Sequence, residues 1–168
     1  MDTSIIVIDD ERDFLESVRR GLIISGFKNV VLEQSPRKAA SVFENGGFYD
    51  LALIDINMPD MNGIELLEIV KNISPNTECI MVTAVDEARV AVECLKKGAY
   101  DYLLKPFSKE ELVTSINRAL ERKRLIDILN LQKGSVPPQL KNVEAFKSII
   151  TKSTKVLRLL KEAELHAS

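Results

Sequence analysis

The sequence is poor in sulfur and in rings. Cys79 and Cys94 are its only cysteines, His166 is its only histidine, and aromatic residues make up 5% of 168 positions. Two cysteines among apolar neighbours read as small buried hydrophobes. That excludes a disulfide framework and points to a reducing compartment, the cytoplasm. No apolar run approaches the ~20 residues that a membrane span needs. The N-terminus lacks the basic segment and apolar core of a secretion signal. No dense Lys/Arg cluster interleaved with aromatics occurs, so direct nucleic-acid binding by this chain is not expected. Nor does a G-x-x-x-x-G-K-[ST] loop, so ATP binding by that route is excluded.

What is present is an uneven charge. The net charge is −2, but Met1–Ser108 carries 11 basic and 18 acidic residues, whereas Lys109–Ser168 carries 12 and 7. The basic residues of the tail interleave with apolar ones at helical spacing, as on a solvated helix face.

Short apolar runs alternate with helical patterns. Strands are expected at 3–8, 29–33, 51–54, 79–82 and 102–104, short and mainly apolar runs. Between them, apolar residues recur at helical spacing from Asp13, Pro36, Ile64 and Glu87, closed by Gly26, Gly46, Pro75 and Gly98. Ser108 with Glu111 three residues on forms a capping box that opens a last helix. This alternation implies an α/β fold, a five-stranded doubly wound parallel sheet with helices on both faces.

In such sheets, sites form outside the carboxyl ends of the strands. Asp9 and Asp10, Asp55, Thr83 and Lys105 stand at those ends. Neighbouring carboxylates raise one another's proton affinity unless a cation intervenes. Mg²⁺, a hard ion with oxygen ligands, suits them. Asp10, Asp55 and the backbone carbonyl of Asn57 are its candidate ligands. Asp55 then has the position of a nucleophile able to form an aspartyl-phosphate. Lys105 supplies positive charge, and the Thr83 hydroxyl and Ala84 amide can donate to phosphoryl oxygens. Each residue alone has a plainer reading: a cap for either acid or for Thr83, a solvated loop lysine for Lys105. Their joint occurrence at one sheet edge favours a single site.

The motifs Ile5–Ile6–Val7–Ile8–Asp9–Asp10–Glu11, Leu53–Ile54–Asp55–Ile56–Asn57–Met58–Pro59–Asp60–Met61–Asn62–Gly63 and Val82–Thr83–Ala84 are joined by Gly98–Ala99–Tyr100–Asp101–Tyr102–Leu103–Leu104–Lys105–Pro106–Phe107. Over about Thr3 to Lys123 the sequence resembles the CheY-like receiver domains of two-component response regulators, which are flavodoxin-like in fold. The resemblance implies that Asp55 accepts phosphate from a sensor histidine kinase. It also implies that Asp9 and Asp10 are metal-binding acids, Asp9 through water, and that Thr83 and Tyr102 are a switch pair. The face of the fourth helix, fifth strand and fifth helix is implied as a dimer surface.

The apolar pattern of the last helix continues through Leu112, Ile116, Leu120, Leu125, Ile128, Leu129 and Leu131. It suggests a helix that outruns the domain and pairs with a second copy, or one that folds back on its own domain. Gly134–Ser135–Val136–Pro137–Pro138 reads as a linker. From Glu144 the sequence resembles the opening of the AAA+ ATPase domain of NtrC-class, sigma-54-dependent activators. The expected organisation is a receiver at 1–121, a linker helix and linker at 122–140, and an ATPase stub at 141–168. His166 reads as an exposed tail residue.

Three functions compete. The first is a phospho-switched module controlling an attached activator ATPase that acts on DNA and sigma-54 RNA polymerase. The second is a stand-alone receiver that binds a target protein. The third, a hydrolase with an aspartyl-phosphate intermediate, needs a carboxylate two residues after the nucleophile, where Asn57 stands instead. The expectation is a phosphoacceptor without catalytic residues, one that takes phosphate from small donors and loses it to a bound water, with Asn57 and Val85 near enough to tune that loss.

Overall fold

The structure, a computed structural model, describes residues 3–84 and 88–133. The expected linker, the ATPase-like stretch, His166 and Val85 lie outside these residues. The chain divides into a compact unit, Met1–Asn130, and the remainder, Leu131–Ser168. The elements alternate as β1 (Ser4–Ile8), α1 (Arg12–Ile24), β2 (Asn29–Glu33), α2 (Pro36–Glu44), β3 (Leu51–Asp55), α3 (Gly63–Ile73), β4 (Glu78–Thr83), α4 (Ala88–Lys96), β5 (Asp101–Leu104) and α5 (Lys109–Lys133).

The strands form one parallel sheet in the order β2-β1-β3-β4-β5. Every residue of β3 and β4 is buried, which explains why Leu51–Ile54 and Cys79–Val82 are apolar throughout rather than alternating. The pleat sorts their side chains onto two faces. Ile6, Ile8, Ala52, Ile54 and Met81 pack with Phe43 of α2, Leu66 and Val70 of α3 and Cys94 of α4. Ile5, Val7, Leu51, Leu53 and Ile80 pack with Leu15 and Leu22 of α1 and Leu112 and Ile116 of α5. Both cysteines are buried and free. Burial pushes the Cys79 thiol up to about 12, so it behaves as a hydrophobe and not as a nucleophile.

The helices start where local chemistry dictates. Ser35 accepts from the Lys38 amide ahead of Pro36, and Asn62 accepts from the Ile64 amide at 2.8 Å. At α5 the capping box is complete: Glu111 N–H donates to Ser108 Oγ at 3.1 Å, and Ser108 N–H donates to Glu111 Oε2 at 2.7 Å. Those bonds, the Ser108 amide first and its hydroxyl second, hold the Glu111 carboxyl below its usual range.

The contacts of α5 with its domain continue past position 121. Arg122 Nε lies 3.3 Å from Glu78 Oε1, and Lys123 Nζ donates to the Asn76 carbonyl at 2.9 Å. Farther along, Leu125, Ile128 and Leu129 are 57%, 52% and 53% exposed. The helix is therefore fastened at the amino end of the sheet before its apolar stripe reaches solvent. No helix among the described residues is long and apolar enough to cross a membrane.

Candidate functional site

Beyond β1 the chain turns outward to β2, and beyond β3 it turns to β4 on the opposite side. The crevice left between the carboxyl ends of β1 and β3 is the switch point where open α/β sheets bind ligands. Asp9 continues the parity of Ile5 and Val7, and Asp55 that of Leu51 and Leu53. Both carboxylates thus fall on the α1/α5 face and are almost fully buried, at 1% and 5% exposed. Lys105 follows β5 with the parity of Leu103, which packs on the same face.

The Lys105 ammonium lies between the two acids. Its Nζ is 2.7 Å from Asp9 Oδ2 and 2.9 Å from Asp55 Oδ1, with the exposed Glu11 carboxylate at 3.8 Å. The Glu11 amide donates to Asp9 Oδ1 at 2.8 Å, and the Asn57 amide donates to Asp55 Oδ2 at 2.7 Å. Burial raises the Asp9 carboxyl above its ordinary value, and the bonds from Lys105 and the Glu11 amide offset this only in part. For Lys105 burial pulls the ammonium down, but its bonds to Asp9 and Asp55 outweigh that and leave it above the ordinary value. The lysine is therefore held charged between two acids.

Asp10 is exposed at the rim. Thr83 is fully buried on the opposite face, where its Oγ1 accepts from Asn57 Nδ2 at 3.3 Å. Tyr102, on the neighbouring strand, packs half-buried against that same face. Ala84 is exposed and lines a cleft of about 550 Å³ with Phe14, Ser17, Lys105, Phe107 and Lys109. Asp9, Asp55 and Lys105 thus meet directly. Thr83 reaches Asp55 through Asn57, and Asp10 is exposed. Among the described residues no three acidic, histidine or cysteine side chains gather closely enough to hold an ion as they stand.

The loop after β3 is shaped around Asp55. Gly63 N–H donates to the Ile56 carbonyl at 3.0 Å, and a Cβ on Gly63 would lie 2.0 Å from the Asp55 carbonyl oxygen. Only glycine permits that approach. Sequence reasoning gave Asn57 a metal-binding carbonyl and a part in dephosphorylation but no link to Thr83, and gave Phe14 no role at the site. Yet Asn57 joins Asp55 to Thr83, its backbone N–H donating to the first and its side-chain Nδ2 to the second, and the Phe14 ring centroid lies 3.9 Å from Lys105 Nζ. The signal for Phe14 was slight: an aromatic one helical turn after the acid pair.

Fold and site together define a class, the CheY-like receiver. The chain belongs to the response regulator receiver domain family of two-component systems, whose profile matches residues 5–117. It is 32% identical over 123 residues to the C4-dicarboxylate transport transcriptional regulatory protein DctD of Rhizobium meliloti. That match covers 73% of this chain and 26% of DctD. Its backbone is similar to a CheY-like receiver domain protein from Methanospirillum hungatei (TM-score 0.69, 31% identity, covering 74% of this chain and 98% of that one). It is similar also to the beryllofluoride-activated NtrC4 receiver domain dimer (TM-score 0.67, 30% identity, covering 71% and 98%).

Proposed function

We propose that Asp55 is the phosphoacceptor of this receiver and that the chain is a switch rather than an enzyme. The observation that carries the reading is the Lys105 ammonium held between buried Asp9 and Asp55 at 2.7 and 2.9 Å. A carboxylate oxygen of Asp55 attacks the phosphorus of a phosphohistidine on a sensor kinase. The new O–P bond replaces the N–P bond, and the departing imidazole nitrogen keeps the electron pair and takes a proton. Phosphoryl transfer needs positioning and charge neutralisation more than covalent help. The Asn57 amide holds the Asp55 carboxylate in place. Lys105 neutralises the incoming charge, and exposed Ala84 leaves the approach open and offers its amide.

Two buried carboxylates share one lysine, and exposed Asp10 follows Asp9 in the chain; such oxygen donors suit a hard divalent cation. Mg²⁺ would be held by Asp10, Asp55 and the Asn57 carbonyl, with Asp9 acting through water; when bound it neutralises phosphoryl oxygens. Signal output runs through Thr83. The phosphoryl group draws its hydroxyl from Asn57, and the half-buried Tyr102 ring turns into the space vacated. The α4–β5–α5 face and the exposed stripe on α5 then change how two copies pair.

The whole protein is read as a cytoplasmic sigma-54-dependent activator of the NtrC class, acting on DNA and RNA polymerase. Likeness to DctD and to NtrC4, together with the ATPase-like stretch from Glu144, supports this. The test is incubation with Mg²⁺ and a small phosphodonor, followed by mapping of the label. Label is expected on Asp55 and absent from Asp55→Ala; label persisting in that variant would refute the assignment.

A further inference from the structure

We infer that Phe14 is a positioning residue for phosphoryl transfer, holding the Lys105 ammonium in the site through the face of its ring. The inference rests on the phosphoacceptor reading of Asp55. An ammonium has three N–H donors. Asp9 and Asp55 take two of them at 2.7 and 2.9 Å. On a further side the ring centroid of Phe14 lies 3.9 Å from Nζ, nearly as close as the Glu11 carboxylate, which is 3.8 Å away on a 71% exposed side chain. The lysine side chain itself is only 14% exposed. The cation therefore sits in a largely desolvated place, where attraction to a ring's negative face is strongest.

The ring is braced in turn. The Phe107 ring meets Phe14 at 5.9 Å and 85°, edge to face. Phe107 comes two residues after Lys105, and Phe14 lies in the first turn of α1 just beyond Asp9 and Asp10. The two aromatics thus tie both sources of the site together at one point.

The chemistry differs from that of a third carboxylate. A carboxylate would compete with the phosphoryl oxygens for the ammonium and repel the incoming group. A ring face attracts the cation and carries no net charge. When a phosphoryl group arrives, Lys105 can exchange Asp55 Oδ1 for a phosphoryl oxygen without leaving Asp9 or Phe14. That restrains the flexible four-carbon stem at the moment its charge is needed.

The test replaces Phe14 with ring-fluorinated phenylalanines carrying one, two and three fluorines. These withdraw electron density from the ring face while changing its volume little. The rate of Asp55 labelling from a small phosphodonor with Mg²⁺ is measured in the full chain, alongside the thermal unfolding midpoint. The rate is expected to fall with each fluorine, by about two- to fivefold in total, while the midpoint stays constant. Phe14→Leu, apolar but without a ring face, should fall at least as far. A flat rate across the series, with label still on Asp55, would overturn this inference alone. Absence of label on Asp55 in the parent chain would overturn the phosphoacceptor reading and this inference with it.

Discussion

At the carboxyl end of the sheet Lys105 lies between Asp9 and Asp55, beside a cleft that opens to solvent. At the amino end Lys123 donates to the Asn76 carbonyl at 2.9 Å and lies 3.8 Å from Asp50, while Arg122 meets Glu78. The same residue types build both clusters. What differs is the balance of charge: at the amino end two cations face two acids, although Glu78 Oε2 is buried there without a hydrogen-bond partner. Asp50 already accepts from the Ser4 amide at 2.9 Å, and Lys123 spends its best bond on a neutral carbonyl. That end is a fastening for α5. At the other end two buried acids share one ammonium, with a third acid exposed nearby, so the cluster retains capacity for an incoming cation and an anion.

The comparison can be broken most sharply by matched substitutions of its two lysines. Lys105→Met is expected to slow Asp55 labelling by about 10²–10³-fold, the usual cost of removing one preorganised charge donor. Lys123→Met should leave labelling within about twofold and instead cost about 1–2 kcal/mol of stability in urea unfolding, because the Asn76 carbonyl loses its partner. Equal effects of the two on labelling would erase the distinction between the ends.

Gly63→Ala comes next. Its Cβ would lie 2.0 Å from the Asp55 carbonyl oxygen, a clash with backbone that cannot rotate away. The expected loss is about 3 kcal/mol, read from the urea midpoint, together with slower labelling. An unchanged midpoint would mean that the loop does not press on Asp55.

The smallest effect is electrostatic. Burial raises the Asp9 carboxyl above its ordinary value despite Lys105, so the folded chain binds that proton more tightly than the unfolded one. The contribution of Asp9 to stability is therefore full below the ordinary carboxylate value and is lost as pH rises through its folded value. Without divalent ion, Asp9→Asn should be the more stable protein near neutral pH and converge with the parent toward about pH 4. Added Mg²⁺ should stabilise the parent more than the variant. A variant less stable than the parent near neutral pH would show that pairing with Lys105 outweighs burial.

Much of the fold was legible because it is written in local periodicity. The run Asn29–Glu33 has the same limits as β2. Helix starts were legible where a cap residue stands, as at Ser108. Strand ends named Asp9, Asp55, Thr83 and Lys105 as neighbours, and the structure brings Asp9, Asp55 and Lys105 together. Asp9 and Asp10 were harder to separate. The pleat decides between them, since one residue of register moves a side chain to the other face. For the last helix the sequence left two alternatives open, pairing with a second copy or folding back, and the residues that fasten it, Arg122 and Lys123, were not named. Those contacts join residues of distant segments, and no local pattern encodes them.

By itself, then, the sequence determined the order of strands and helices, the acids and lysine at the strand ends, and the receiver family. Hydrophobic period, turn residues and caps act over a few neighbours, so a linear reading reaches them. Only the tertiary structure decided that Lys105, 96 positions after Asp9, closes to 2.7 Å on it. It alone decided that Asn57 links Asp55 to Thr83 and that Phe14 faces the ammonium. Those distances follow from how helices pack on two faces of a twisted sheet, a property of the whole core and not of any one segment.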